Sequence, residues 1–239
     1  MDILFWLALA PALILLWIVY RKDQVEQEPP RLILRLFLFG VLSAFVAMVL
    51  EMIGSAIMDS FSWSSLTAYN FVMFFFVVAV SEEIAKFLFL NTTRKNPNFN
   101  YTFDGIVYAV AVGLGFAAIE NIMYVFSTMS FGVAIMRGIL SVPLHCTCAI
   151  FMGCYFGLAH KYRRHGLSGK AAATTALALI IPICIHGFYD FSMSSESEFV
   201  TMLGFIFTVI IFILAVVQVR SSSKYDEPVD PYPTTPQAF

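Results

Sequence analysis

The sequence predicts an all-α, polytopic transmembrane bundle of about seven spans, and three observations carry that expectation. Of 239 residues, 59% are hydrophobic and only 13% are charged. The apolar residues fall in repeated blocks of about 20, the length of helix that crosses a hydrocarbon core roughly 30 Å thick. Most basic residues collect in alternate gaps between the blocks rather than inside them. A net charge of −2 without a basic tract leaves no electrostatic footprint for nucleic acid.

The first block, Ile3 to Tyr20, has no positive segment before it, and Arg21 and Lys22 follow it, which reads as a retained span rather than a cleaved leader. Pro29-Pro30 closes the polar loop that comes next. Further spans are expected over 32–58, 66–91, 104–127, 133–159, 170–191 and 199–219. Together they make one membrane domain over residues 1–220; the remainder, 221–239, carries four prolines and no apolar periodicity and is expected to lack fixed structure. Gly105, Ala109, Gly113 and Ala117 recur every four residues on the fourth span, as do Ala149, Gly153 and Gly157 on the fifth, a spacing that lets membrane helices approach closely. Asp104, just before the fourth span, reads as a helix N-cap. The cysteines, Cys146, Cys148, Cys154 and Cys184, lie within apolar blocks without a C-x-x-C pair and read as small core residues.

Twelve of the fourteen basic residues fall on one side of this arrangement, which the positive-inside rule makes cytoplasmic, with the N-terminus out and the C-terminus in. Lys86 and Arg137 are the two that topology does not explain. Arg137 is close enough to a span end to snorkel to the outer interface.

Charge inside a span is costly and usually marks function. Ser81-Glu82-Glu83-Ile84-Ala85-Lys86 sits between the apolar runs 71–80 and 87–90. The fourth span carries Phe116-x-x-x-Glu120-Asn121, the fifth His145, and the sixth His186-x-x-x-Asp190. Residues four apart share a helix face, so Glu82 with Lys86 and His186 with Asp190 form two pairs on separate spans. Counting from the basic ends at roughly 1.5 Å per residue, Glu83 lies about 18 Å deep and Glu120, His145 and His186 about 23 Å, a mismatch of about one turn that allows convergence near mid-membrane. Glu51, near the outer end of the second span, is isolated and stands outside the candidate group.

The three motifs Glu82-Glu83-x-x-Lys86, Phe116-x-x-x-Glu120-Asn121 and His186-x-x-x-Asp190, in this order on successive spans, resemble those of the PrsW family of intramembrane proteases, which is distantly similar to CAAX prenyl endopeptidases and Abi proteins. Asp23-x-x-Glu26-x-Glu28-Pro29 and Asp104-Gly105-Ile106-Val107-Tyr108 also resemble that family, and the similarity covers about residues 20 to 191. The resemblance implies a protease of the bacterial cytoplasmic membrane that makes the first cut in a single-pass anti-sigma factor, as part of a stress response.

The residues themselves suit hydrolysis. Glu82, Glu83, Lys86, Glu120, Asn121, His145, His186 and Asp190 are the candidate catalytic set. Lys86 can hold one glutamate ionised as a general base while its neighbour stays protonated, with water as the nucleophile. Ser141, four residues before His145, keeps a covalent route open. Zinc held by Glu120, His145 and His186, with Asp190 orienting His186, is one reading, and a metal-free glutamate–histidine site is the other. The rival from another class is a transporter or proton-coupled channel that uses the Glu/His/Asp group as a relay. The chain shows no inverted repeat of the kind many transporters carry.

Overall fold

The computed structural model describes residues 2–231. Their helices are α1 Asp2–Tyr20, α2 Pro30–Asp59, α3 Leu66–Val72, α4 Ala79–Leu90, α5 Asp104–Thr128, α6 Phe131–Ile139, α7 Ser141–Arg164, α8 Ser168–Met193 and α9 Glu198–Lys224. Six helical stretches are long and apolar enough to cross a membrane, with α6 and α7 counted together across the break at Leu140. A seventh stretch from residue 66 is subdivided: α3 runs into a π-helical segment, Met73–Val78, then α4, then a 3₁₀ turn, Asn91–Lys95. Each expected span is present within a few residues of its predicted limits, the fifth and the last each extending five residues further, to Arg164 and Lys224.

α5 is the axis of the bundle. From Asp104 to Ala118 every residue is buried, because small residues let three neighbours close on it. A Cβ on Gly153 would run into the backbone of Gly105 and Ile106, and one on Gly157 into Thr102, so the two glycine ladders are where α5 and α7 touch. On the opposite flank Gly40 of α2 lies against the backbone of Val112, and Gly115 of α5 against Phe37. Close backbone approach of this kind gives dispersion contact where lipid offers no hydrophobic drive.

One end of the bundle gathers the loop 21–29, the loop 96–103, the end of α7 and the segment after α9. The Ser223 hydroxyl donates to the Lys22 carbonyl, 2.5 Å, and the Asn100 side chain to Glu26, 2.8 Å. Residues 221–231 therefore differ from the unstructured tail expected from 221. Ser221 to Lys224 complete α9, Val229 is buried, and Asp226 accepts bonds from the Thr102 hydroxyl and the Phe103 amide. The rest of that expected tail, 232–239, lies outside the described residues. Composition missed this docking because it depends on polar groups presented by distant loops.

Asp104 also departs from its expected role. Its Oδ2 accepts from the amides of Asn100 and Tyr101, 3.0 and 2.7 Å away, so it ties down the preceding loop, while Asp226 serves the N-terminus of α5. The four cysteines are free, as their spacing predicted.

Gly153→Leu tests the packing of α5 on α7. It should lower the unfolding midpoint of the detergent-purified protein by the equivalent of about 1–3 kcal/mol or more. Gly169→Leu, where an added Cβ meets nothing within 4 Å, should change stability by less than about 0.5 kcal/mol.

Candidate active site

The π-helical segment directly precedes Ala79-Val80-Ser81-Glu82-Glu83 and adds a residue to the turn, which resets the face that the following helix presents. α4 then turns Glu82, Glu83 and Lys86 inward, all three buried. The Lys86 ammonium donates to Glu82 Oε2 at 3.1 Å, to Glu83 Oε1 at 2.8 Å and to His145 Nδ1 at 3.1 Å, and lies 4.0 Å from the centre of the Phe116 ring. One cation thus faces two carboxylates, an imidazole and an aromatic face in a low-dielectric interior. Removing one partner of such a group leaves buried charge uncompensated, at a cost of about 3–5 kcal/mol.

The two histidines meet edge to face, with ring centroids 5.0 Å apart. Each has one nitrogen turned outward to a carboxylate: His145 Nε2 lies 2.9 Å from Glu120 Oε2, and His186 Nε2 lies 3.3 Å from Asp190 Oδ2. Their other nitrogens face the glutamate pair, His186 Nδ1 at 2.8 Å from Glu83 Oε1. His145 Nε2–H donates to Glu120 while its Nδ1 accepts from Lys86, and His186 Nδ1–H donates to Glu83. A metal ion held between His186 and Glu83 would take the place of that proton.

Glu82, Glu83, His145 and His186 offer ligand atoms that all lie within 4.8 Å of one another. Two imidazoles and two carboxylates suit a zinc-class ion, and outer carboxylates on ligating histidines are the usual support for one. The group shares His145 and His186 with the expected ligand trio. Glu120 lies on the outer nitrogen of His145, outside the group of four. Lys86 contacts three of the same four donors, so the ammonium and a metal ion compete for one set of lone pairs.

A cavity of about 480 Å³ opens beside this group, lined by Glu82, Glu120, His145, His186 and Asp190 among others. It reaches Ser194, where α8 ends, and thus runs toward the end of the bundle away from the basic loops. Glu83 and Lys86 do not line it. Nor does Asn121, which is fully buried, donates to the Ala8 carbonyl of α1 and accepts from Arg137 Nε at 3.1 Å. Asn121 is therefore tied to α1 and α6 and stands away from the cavity. Ser141 lines the cavity, yet both nitrogens of His145 are engaged elsewhere, which leaves the serine without a base.

Arg137 and Glu51 are the residues that sequence reasoning left out. Arg137 does not snorkel: its Nη2 lies 2.9 Å from Glu120 Oε2, and its guanidinium stacks 3.9 Å from the centre of the Tyr124 ring. Its signal was present, since Arg137 and Lys86 were the two basic residues without a topological reason. Glu51 lines the same cavity, and nothing in sequence spacing links it to the motifs.

A polar cavity among membrane helices, with Glu82 and two carboxylate-supported histidines on its wall and Glu83 buried behind them, has the groups that a membrane-embedded hydrolase needs. Comparison with known proteins gives the particular family. The family model for "PrsW family intramembrane metalloprotease" matches residues 28–217. The curated Protease PrsW of Oceanobacillus iheyensis is 35% identical over 90% of this chain and 94% of its own length. The Protease PrsW of Geobacillus kaustophilus is 31% identical over 96% of each chain, and that of Bacillus subtilis 31% identical over 80% of this chain and 83% of its own. No solved structure gives a significant match. The chain belongs to the PrsW family and is a multi-pass bacterial intramembrane protease.

Arg137→Met removes the cation that holds Glu120 against His145 and should reduce proteolysis by about 10- to 100-fold, the scale of losing an outer-shell support, while the protein remains folded. Arg137→Lys keeps the charge without the planar fork and should lose less. Cleavage assays beside a detergent unfolding curve check both.

Proposed function

We propose that the protein hydrolyses a peptide bond in a single-pass membrane protein, with Glu82 as the group that takes the proton from the attacking water. The observation that carries this reading is the division of the glutamate pair. Glu82 faces the cavity, whereas Glu83 is fully buried between Lys86 and His186 and has no access to it.

Glu82 accepts a proton as the water oxygen forms its bond to the carbonyl carbon. It returns that proton to the amide nitrogen as the C–N bond breaks. Lys86 balances the charge of the two glutamates during the transfer, and Asp190 and Glu120 hold the two imidazoles in one orientation. His145, His186 and Glu83 would hold the zinc-class ion that the family description calls for. When bound, that ion supplies Lewis-acid polarisation of the scissile carbonyl and lowers the pKa of a water. Burial of Glu82, Glu83, His145 and His186 keeps bulk water from most of the reacting atoms.

The substrate we infer is an anti-sigma factor, cut first in a cascade that releases its sigma factor. The motif resemblance supports this, and the cavity supports a cut toward one membrane surface. With the basic loops in the cytoplasm, that surface is the outer one.

Glu82→Gln should abolish cleavage of a reconstituted single-pass substrate, a fall of at least about 100-fold for loss of a general base. Gln at this position still accepts one bond from Lys86, so the fold should persist. Full cleavage by folded Glu82→Gln would remove Glu82 from this role. Ion uptake into vesicles without proteolysis would favour the relay reading instead.

A further inference from the structure

A second cavity, of about 940 Å³, lies at the end of the bundle that carries the basic loops and shares no lining residue with the catalytic one. Arg94 and Lys95 line it from the 3₁₀ turn after α4, His160, Arg163 and Arg164 from the last two turns of α7, and Asp230 from the segment after α9. Asp230 accepts from Arg164 Nε at 2.5 Å and neutralises that one cation. Glu227, the other acid close by on this segment, pairs with Lys161. Among the described residues no acidic side chain forms an ion pair with Arg94, Lys95 or Arg163, and residues 232–239 contain no Asp or Glu.

Two of these side chains are built into the wall. The Arg94 guanidinium lies 4.3 Å from the centre of the Phe156 ring, Phe156 stacks on Phe99 at 5.7 Å, and Phe99 stacks on His160 at 4.1 Å. Arg94 Nε donates to the Asn91 side chain. Nη1 of Arg94 and Nδ1 of His160 are nevertheless buried without a hydrogen-bond partner, and His160 is only 6% exposed. Burial, and after it the neighbouring Arg163, push the Arg94 guanidinium down to about 10, the response of a cation that faces another cation with no anion between them. The positive-inside rule accounts for basic residues at this end. It does not account for an arginine and a histidine packed on a ladder of aromatic rings with bonding capacity unfilled, because buried polar atoms left unbonded are costly.

We propose that Arg94, His160 and Arg163, with Lys95 beside them, bind a phosphate group, carried by an anionic lipid headgroup or by a soluble phosphate. A guanidinium presents paired N–H donors that match phosphate oxygens, and Arg94 is held flat on its ring with Nη1 unengaged. Basic pockets between membrane helices at this kind of surface suit lipid headgroups. The bound phosphate ties the end of α4 to the end of α7, the helices that carry the glutamate pair and His145.

The test uses the full chain, delipidated in non-ionic detergent near neutral pH at constant ionic strength. One arm replaces chloride with inorganic phosphate. The other replaces phosphatidylcholine, whose headgroup is neutral overall, with phosphatidylglycerol in mixed micelles. At about 10 mM phosphate a site of about 1 mM affinity is nearly filled, and the unfolding midpoint should rise by about 3–6 °C. A rise with phosphate assigns the site to soluble phosphates, and a rise with phosphatidylglycerol alone assigns it to lipid. Arg163→Gln, at an exposed position, and Arg94→Lys, which keeps the charge but not the planar fork, should each weaken the response by about 10-fold or more in affinity. Arg31→Gln, exposed at the same end but outside the cavity, should leave it unchanged. Three results would each overturn the proposal. One is a wild-type midpoint unmoved by both probes. Another is a response that survives intact in Arg163→Gln and Arg94→Lys. The third is a response that Arg31→Gln weakens as much as Arg163→Gln, the sign of general attraction between anions and this end of the chain.

Discussion

The contact on which this protein depends is that of the Lys86 ammonium with Glu82, Glu83 and His145, buried among membrane helices. Two carboxylates side by side in hydrocarbon are unfavourable on their own and also repel each other. A single ammonium within 2.8–3.1 Å of both makes their coexistence possible. The same closeness divides the pair, because Glu83, held from both sides by Lys86 and His186, leaves Glu82 as the carboxylate that meets the cavity. Stability and chemistry are thus set by one arrangement of charge.

The rest of the fold maintains that arrangement at distance. Glycine ladders bring α5 and α7 to backbone contact, which fixes Glu120 against His145. The π-helical segment before Glu82 orients α4, and Phe75 within it packs on Gly187, next to His186 in α8. α6 brings Arg137 behind Glu120, and α1 receives Asn121. A chain of supports therefore runs from the buried glutamates out to the lipid-facing helices. Every link is a polar bond or a close backbone contact, since apolar side chains are indifferent to whether they face lipid or another helix.

Much of this was legible in the sequence, and the exceptions share a cause. Span number and limits follow from apolar length, and the candidate residues follow from the cost of charge inside those spans. The pairs Glu82–Lys86 and His186–Asp190 follow from helix periodicity, and both occur. Periodicity stops at the helix, however. It does not tell which nitrogen of His145 meets Glu120 and which meets Lys86, and the expected metal trio was drawn without that distinction. Arg137 and Asp104 were misplaced for the same reason, their partners lying on other elements. The C-terminal segment reads as featureless because its order comes from the loops that receive it.

The central claim is that Glu83, His145 and His186 form the metal-holding group, with Glu120 acting only through His145. The metal content of protein purified in detergent tests it most directly. About one zinc per chain is predicted in the wild type. It should be lost in His145→Ala, His186→Ala and Glu83→Gln, and retained in Glu120→Gln with affinity weakened about 10- to 100-fold. Zinc retained by Glu83→Gln but absent from Glu120→Gln would contradict the account and restore the trio of Glu120, His145 and His186.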